Sequence, residues 1–100
     1  DKYKLNFDLT EWKINGLEFT RSNIRNIGVH EIYGHGIKGY SHKQLHYYAY
    51  EAQIMHVSWR TTTTNWKRVF LKLAYEHYYN LYPTPRSKFP YMNQYDRYVR

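Results

Sequence analysis

From Trp66 to Leu81 the apolar residues recur every three or four positions, and no other stretch constrains the fold of this chain so strongly. Trp66, Val69, Phe70, Leu73, Ala74, His77 and Leu81 form one face of a helix, with Lys67, Arg68, Lys72 and Glu76 off it. Pro83 and Pro85 cannot continue such a helix, because proline removes a backbone donor and its ring blocks the preceding turn, so the spacing predicts a helix over 65–82. The four threonines before it suit neither helix nor core and mark a break. Upstream, Ser41 is placed to cap a helix over 42–56 with Leu45, Tyr48, Ala49, Ala52 and Met55 as its apolar face. Ser22 is placed to cap an earlier one, in which Ile24, Ile27 and Ile32 follow at roughly helical spacing up to Gly36. Before that, Asn15-Gly16 stands between the β-prone runs "EWKI" and "LEFT", the pattern of a tight hairpin, because a type I′ turn needs two residues at positive φ.

These elements predict an α+β fold: an N-terminal β-hairpin or small sheet, then three helices. Residues 1–82 are expected as one compact catalytic domain, and residues 83–100 as a basic, tyrosine-rich tail that packs loosely or serves a partner. One hundred residues suffice for a single small domain. Thirteen of the twenty aromatic residues are tyrosines, so much of the core must be rings that bury their bodies and keep a hydroxyl partnered. The chain has no cysteine, which excludes disulfides and thiolate zinc sites and restricts any metal site to His, Asp and Glu. A formal charge of +7 favours anionic partners: nucleic acid, an acidic membrane surface or an acidic protein. No run is apolar enough for a membrane span, and no signal peptide is visible. The chain opens on Asp1, which suggests a piece of something longer.

The chemistry gathers in "VHEIYGHG", Val29 to Gly36. The common zinc-hydrolase pattern is H-E-x-x-H, whose histidines four apart share a helix face; here His30 and His35 are five apart. On a regular α-helix that is a separation of about 140°. A π-bulged turn of about 4.4 residues would bring both imidazoles to one side, and Gly34 lies where the distortion would fall. With that bulge, His30 and His35 would be metal ligands and Glu31 the base that activates bound water. Without it, Glu31 and His35, four apart, become the natural pair, and a nuclease reading gains over a peptidase one. Zinc needs a third protein ligand. Glu51 in "AYEAQ" ranks first, His46 on the same helix second and His42 third. Tyr50 and Gln53, on the His46 side of that helix, are placed to donate to a developing oxyanion. His77, on an apolar face, reads as a core histidine, and His56 has no evident partner.

"HEIYGHG" resembles the HExxGH motif of the dipeptidyl peptidase III family of zinc peptidases, over about seven residues. That resemblance implies Zn2+ held by the two histidines and a glutamate of a later helix, the intervening glutamate as base, and a fold that is zincin-like in minimal form. "VHEIYGHGIKGY" followed by "HYYAYEAQIMHVSWRTTTTNWKR" is similar to the C-terminal ends of Rhs-repeat-associated polymorphic toxins of Bacteroidetes, over residues 29–70. This second resemblance implies a toxin effector domain, secreted or delivered into target cells as part of a larger protein, with an acidic immunity protein as partner. The expectation is a zinc-dependent hydrolase, a metallopeptidase before a nuclease. Its substrate is accordingly protein or, alternatively, nucleic acid.

Overall fold

The computed structural model describes residues 17–36 and 42–100; the side chains of residues 33–36 and 42–43 lie outside what is described. The described chain is helical: α1 is Arg21–Gly36, α2 His42–Met55, a 3-10 turn Val57–Thr61, α3 Thr64–Leu81 and α4 Met92–Tyr98. The α+β expectation is therefore corrected, since no strand occurs among the described residues. Leu17–Thr20, expected as the returning strand of the hairpin, is an irregular lead-in to α1 whose Leu17 is buried in the core. β-prone residues beside Asn-Gly are a local signal, and here the helices offer Leu17 a better apolar surface than a two-stranded ribbon would. The Asn15-Gly16 turn itself lies outside the described residues.

Three caps set the helix starts. Thr20, not Ser22, caps α1: its hydroxyl accepts from the Asn23 amide at 3.1 Å, while Ser22 bonds to Thr61 at 2.7 Å. His56 caps the 3-10 turn through Nδ1, which accepts from the Ser58 amide. Thr63 caps α3, accepting from the Trp66 amide, and so the threonine run supplies the helix start it interrupts. Pro83 follows the end of α3 by two residues, as the sequence spacing predicts.

The core forms where α2 and α3 pack, with Tyr47, Tyr50, Ile54, Trp66, Phe70, Leu71 and Ala74 buried. The α3 face follows the sequence pattern at Trp66, Phe70 and Ala74, but Leu71 and Lys67, off that pattern, are buried too, and Val69, Leu73, His77 and Leu81 are half-buried. The α2 face is rotated from it: Tyr47, Tyr50 and Ile54 point inward, and Met55 is 70 % exposed. α1 departs furthest. Ile27 is buried, but Ile24 and Ile32 are exposed, and Asn23 and Asn26 occupy the buried positions instead. Residues 83–100 do not trail loosely. Phe89 is 2 % exposed, ringed by Tyr75, Tyr78, Tyr91 and Tyr95, and α4 lies back along α3.

Candidate functional site

Two buried asparagines join α1 to the rest of the molecule. Asn23 donates to the Glu18 carbonyl and to the Thr63 hydroxyl, and its side-chain oxygen accepts from the Thr63 amide. One turn on, Asn26 donates to the Gln53 carbonyl at 2.8 Å and to Ser58 Oγ at 3.0 Å. Its Oδ1 accepts from Trp66 Nε1 at 2.9 Å and Gln53 Nε2 at 3.0 Å. Going back along α1 thus goes forward along α2 and the 3-10 turn, which makes α1 and α2 antiparallel.

This network sets the chemistry of His30. An indole N–H only donates, and a backbone carbonyl only accepts, so the Asn26 amide has one orientation. Asn26 Oδ1 must then take the Gln53 amide hydrogen, which turns Gln53 Oε1 toward His30 Nδ1 at 2.8 Å. An amide oxygen cannot donate, so His30 Nδ1 carries a hydrogen, and in the neutral ring the lone pair sits on Nε2. Gln53, expected as an oxyanion donor, is instead fully buried, and both ends of its amide are occupied in positioning His30.

His30 does not stand alone. Its ring lies 4.6 Å from that of Tyr50, the Tyr50 ring 5.0 Å from His77, and the His77 ring 5.3 Å from His46. His46 precedes Tyr50 by one turn of α2, so both project toward the same side. Four titratable rings thus form a row over the α1–α2–α3 junction. His77, expected as a satisfied core histidine, has a buried Nδ1 with no hydrogen-bond partner among the described residues. Burial, and then the neighbouring His46, hold its pKa below the usual histidine value, with Glu76 opposing weakly.

Glu51, ranked first as third ligand, lies elsewhere on α2. It is about 100° round the helix from Tyr50 and about 160° from Gln53, the two residues that meet His30. Its carboxylate accepts from the Tyr47 hydroxyl at 3.0 Å and is bonded by Tyr91 as well. Burial, with Glu51 beside them, drives the Tyr47 hydroxyl far above the ordinary tyrosine range and pushes Tyr91 up to about 12. Glu51 thus ties α2 to the C-terminal segment.

The motif helix carries no π-bulged turn: α1 is α-helical from Arg21 to Gly36. Positions 30 and 35 are consequently about 140° apart around it, and positions 31 and 35 share a side. Glu31 is half-buried; the side chains of His35 and His42 lie outside the described residues. Among the described residues no three His, Asp or Glu side chains form a group that could hold a metal ion.

The chain's charge is concentrated in its second half. Residues 57–100 carry Arg60, Lys67, Arg68, Lys72, Arg86, Lys88, Arg97 and Arg100 against Glu76 and Asp96. Among the described residues no helix is long and apolar enough to cross a membrane. Comparison with protein-family models, curated proteins and solved structures finds no match to this chain.

Proposed function

We propose that this chain is a ribonuclease-type toxin domain in which the histidine row over α1, α2 and α3 moves protons at a phosphodiester. The observation that carries the reading is the hydrogen-bond chain from Trp66 through Asn26 and Gln53, which holds a hydrogen on His30 Nδ1 and leaves Nε2 as the basic nitrogen of the neutral ring. RNA supplies its own nucleophile, so imidazoles alone suffice. His30 Nε2 takes the proton of the 2′-hydroxyl, the 2′-oxygen attacks phosphorus, and the bond from phosphorus to the 5′-oxygen breaks. His46, protonated, gives its proton to that leaving oxygen. The products are a 2′,3′-cyclic phosphate and a free 5′-hydroxyl. Tyr50, whose ring lies between those of His30 and His77, would donate to the charged phosphoryl oxygens. Peptide hydrolysis offers no internal nucleophile and would ask more of the same rings. The basic second half supports a polyanionic substrate. The resemblance to polymorphic toxin tails supports reading the domain as the delivered end of a larger protein, with an acidic immunity partner.

Incubation with labelled single-stranded RNA is the test. Cleavage should leave a cyclic phosphate end, spare the 2′-O-methyl analogue, and fall about 100-fold or more in His30→Ala and His46→Ala. A second reading is a metal-dependent hydrolase, the zinc peptidase of the motif. It is favoured by the same contact, since a metal-ligating histidine commonly donates its other N–H to a carbonyl oxygen. Metal analysis of the purified chain, with a peptide library and Glu31→Gln, separates the two. Intact RNA beside chelator-sensitive peptide cleavage lost in Glu31→Gln would replace the first reading with the second.

A further inference from the structure

Between the end of α2, the 3-10 turn and α4 runs a groove of about 640 Å³. Its lining includes Met55, His56, Arg60, Lys67, Gln94 and Tyr98, and none of its lining residues is acidic. Lys67 is the unusual member. It belongs to the first turns of α3, is 9 % exposed, and has no carboxylate partner among the described residues. Lysines so deeply buried are nearly always paired with a charge. Its ammonium donates to the carbonyls of Thr62 at 2.7 Å and Arg60 at 3.5 Å, at the end of the 3-10 turn. An ammonium has three hydrogens, and two are accounted for.

Other cations crowd the same place. The Arg60 side chain is exposed at the groove. The Arg97 guanidinium lies 5.3 Å from the centre of the Tyr98 ring, and Lys67 Nζ 5.7 Å from it. Arg68 holds the Tyr98 carbonyl at 3.3 Å, which fixes the ring's helix end against α3. Arg100, further on, is paired with Asp96 at 3.3 Å and is neutralised. Burial, and then the repulsion of Arg97, lower the pKa of Lys67, the signature of positive charge gathered without an anion. The groove floor is fixed as well: Trp59, buried beneath it, donates through Nε1 to Gln94 at 2.8 Å. Such a volume accommodates a ligand of about one nucleotide, since small-ligand sites run from about 300 to 1,000 Å³.

We propose that this groove is a phosphate-binding subsite for single-stranded nucleic acid, with Lys67 as the buried contact, Arg60 in its lining, and Arg97 beside it over the Tyr98 ring. The subsite stands on its own geometry; only the choice of RNA as the source of the phosphate rests on the proposed function. The occupant supplies the missing counter-charge, and the fixed ammonium reads one phosphoryl oxygen. Phosphate contacts carry no sequence information, so the subsite gives affinity and register without sequence preference.

Binding of a fluorescein-labelled 2′-O-methyl RNA decamer to the full chain, by anisotropy across a salt series, tests this without cleavage. Lys67→Met keeps the stem's packing and removes the charge. It should weaken binding about tenfold and reduce the salt-dependence slope by about 0.7, the value of one phosphate contact on a single strand. Arg60→Gln, on the surface, should lose affinity threefold or more even if Lys67→Met folds poorly. Arg86→Gln makes the same charge change outside the groove and should lose less than twofold. Equal losses in Arg60→Gln and Arg86→Gln would overturn the subsite, leaving only diffuse charge. Inorganic phosphate and a nucleoside monophosphate, as competitors, identify the source. Displacement of the decamer at micromolar monophosphate would replace the nucleic-acid strand by a free nucleotide, whereas displacement only at millimolar levels is the expected result. Uncleaved RNA with groove-dependent decamer binding would fail the ribonuclease reading and keep this one; cleavage unaffected by the groove variants, with equal binding losses, would do the reverse.

Discussion

The α1–α2 side and the α3–α4 side of this molecule are both built from polar-capable residues, yet they hold together in opposite ways. On the first side, amides and an indole interlock: Asn26, Gln53 and Trp66 are each 0 % exposed, and every bond among them has one allowed direction. On the second side, rings face rings. Tyr75 stacks on Tyr95 at 4.4 Å and meets Tyr79 at 4.8 Å, around a buried Phe89. A directional network is all-or-none, since a removed member strands its partners in a low-dielectric interior. Ring contacts are graded, because each contributes on the order of 1 kcal/mol beyond burial and a neighbour can shift to cover a loss. The side that needs one geometry is the one that presents His30. The side that needs only adhesion is the one that closes the chain.

The largest expected effect follows from that contrast. Asn26→Ala leaves Trp66 Nε1, Gln53 Nε2, the Gln53 carbonyl and one Ser58 hydrogen bond without their partner. With each stranded buried group costing roughly 1–3 kcal/mol, the loss should be about 4 kcal/mol, by urea titration. His30 would also lose its fixed tautomer, so RNA cleavage should fall more than the folded fraction does. Asn26→Asp is the sharper variant: it keeps the shape but replaces the amide donors by acceptors facing the Gln53 carbonyl. If Asn26→Ala cost under about 1 kcal/mol, below the range for even one stranded group, the network would be an ornament of the fold and the contrast between the two sides would fail.

Phe89→Ala probes the other side. It deletes a buried ring, with an expected cost of about 3 kcal/mol. Here the loss should be confined to stability: once folded, the variant should cleave RNA at close to the normal rate, because the rings packed on Phe89 are not those packed on His30. Tyr95→Phe should cost well under about 1 kcal/mol, since the ring and its stacking remain. A Phe89→Ala protein that is folded but inactive would show that the C-terminal segment orders the histidine row, against the independence of the two sides.

The same contrast governs how much of the molecule is legible in its sequence. α3 is legible as a helix because Trp66, Phe70 and Ala74 are residues whose hydrophobicity does not depend on context, although Leu71 and Lys67, off the face the pattern gives, are buried with them. The faces of α1 and α2 are not. Hydropathy places Ile24 and Ile32 inside and Asn23 and Asn26 outside, and the structure inverts both. A buried asparagine is tolerated only when all its donors and acceptors find partners. Apart from the Glu18 carbonyl, five positions from Asn23, those partners are 27 to 40 positions away along the chain, beyond any local pattern. Tyr47 and Tyr50 hide the α2 face for a related reason: a tyrosine counts as polar or apolar according to where its hydroxyl ends. α4 escapes sequence reading because its seven residues bury no side chain fully and depend on α3. In the site, the sequence singles out His30, His46, Tyr50 and Gln53 but pairs His30 with His35 and makes Gln53 an oxyanion donor, whereas the structure turns Gln53 to the His30 ring. The expected link between Glu51 and His30 is not borne by α2, and the roles of His77, His56 and the groove around Lys67 depend on contacts the sequence does not display.

The smallest effect concerns His77, which belongs to both sides: it lies on α3 and meets Tyr50 and His46 of α2. Burial, and then His46, lower its pKa in the folded chain below the ordinary histidine value of about 6.5. A histidine depressed on folding takes up its proton more readily in the unfolded chain. Stability is therefore full above about pH 6.5, falls as pH drops through the window between the unfolded and folded pKa values, and reaches its floor below the folded one. Glu76 raises the pKa slightly and narrows the window; His46 widens it, because two cations 5.3 Å apart between ring centres repel. Thermal melts of the wild type from about pH 7.5 to about pH 5, a range that spans the ordinary histidine titration, should show a decline of a few degrees that His77→Phe removes, since the ring stays and the proton site goes. His46→Gln should reduce the decline without abolishing it, as burial is the larger cause. A decline unchanged in His77→Phe would move the titration to another histidine of the row. The proposed RNA cleavage would then draw its pH dependence from His30 and His46 without help from His77.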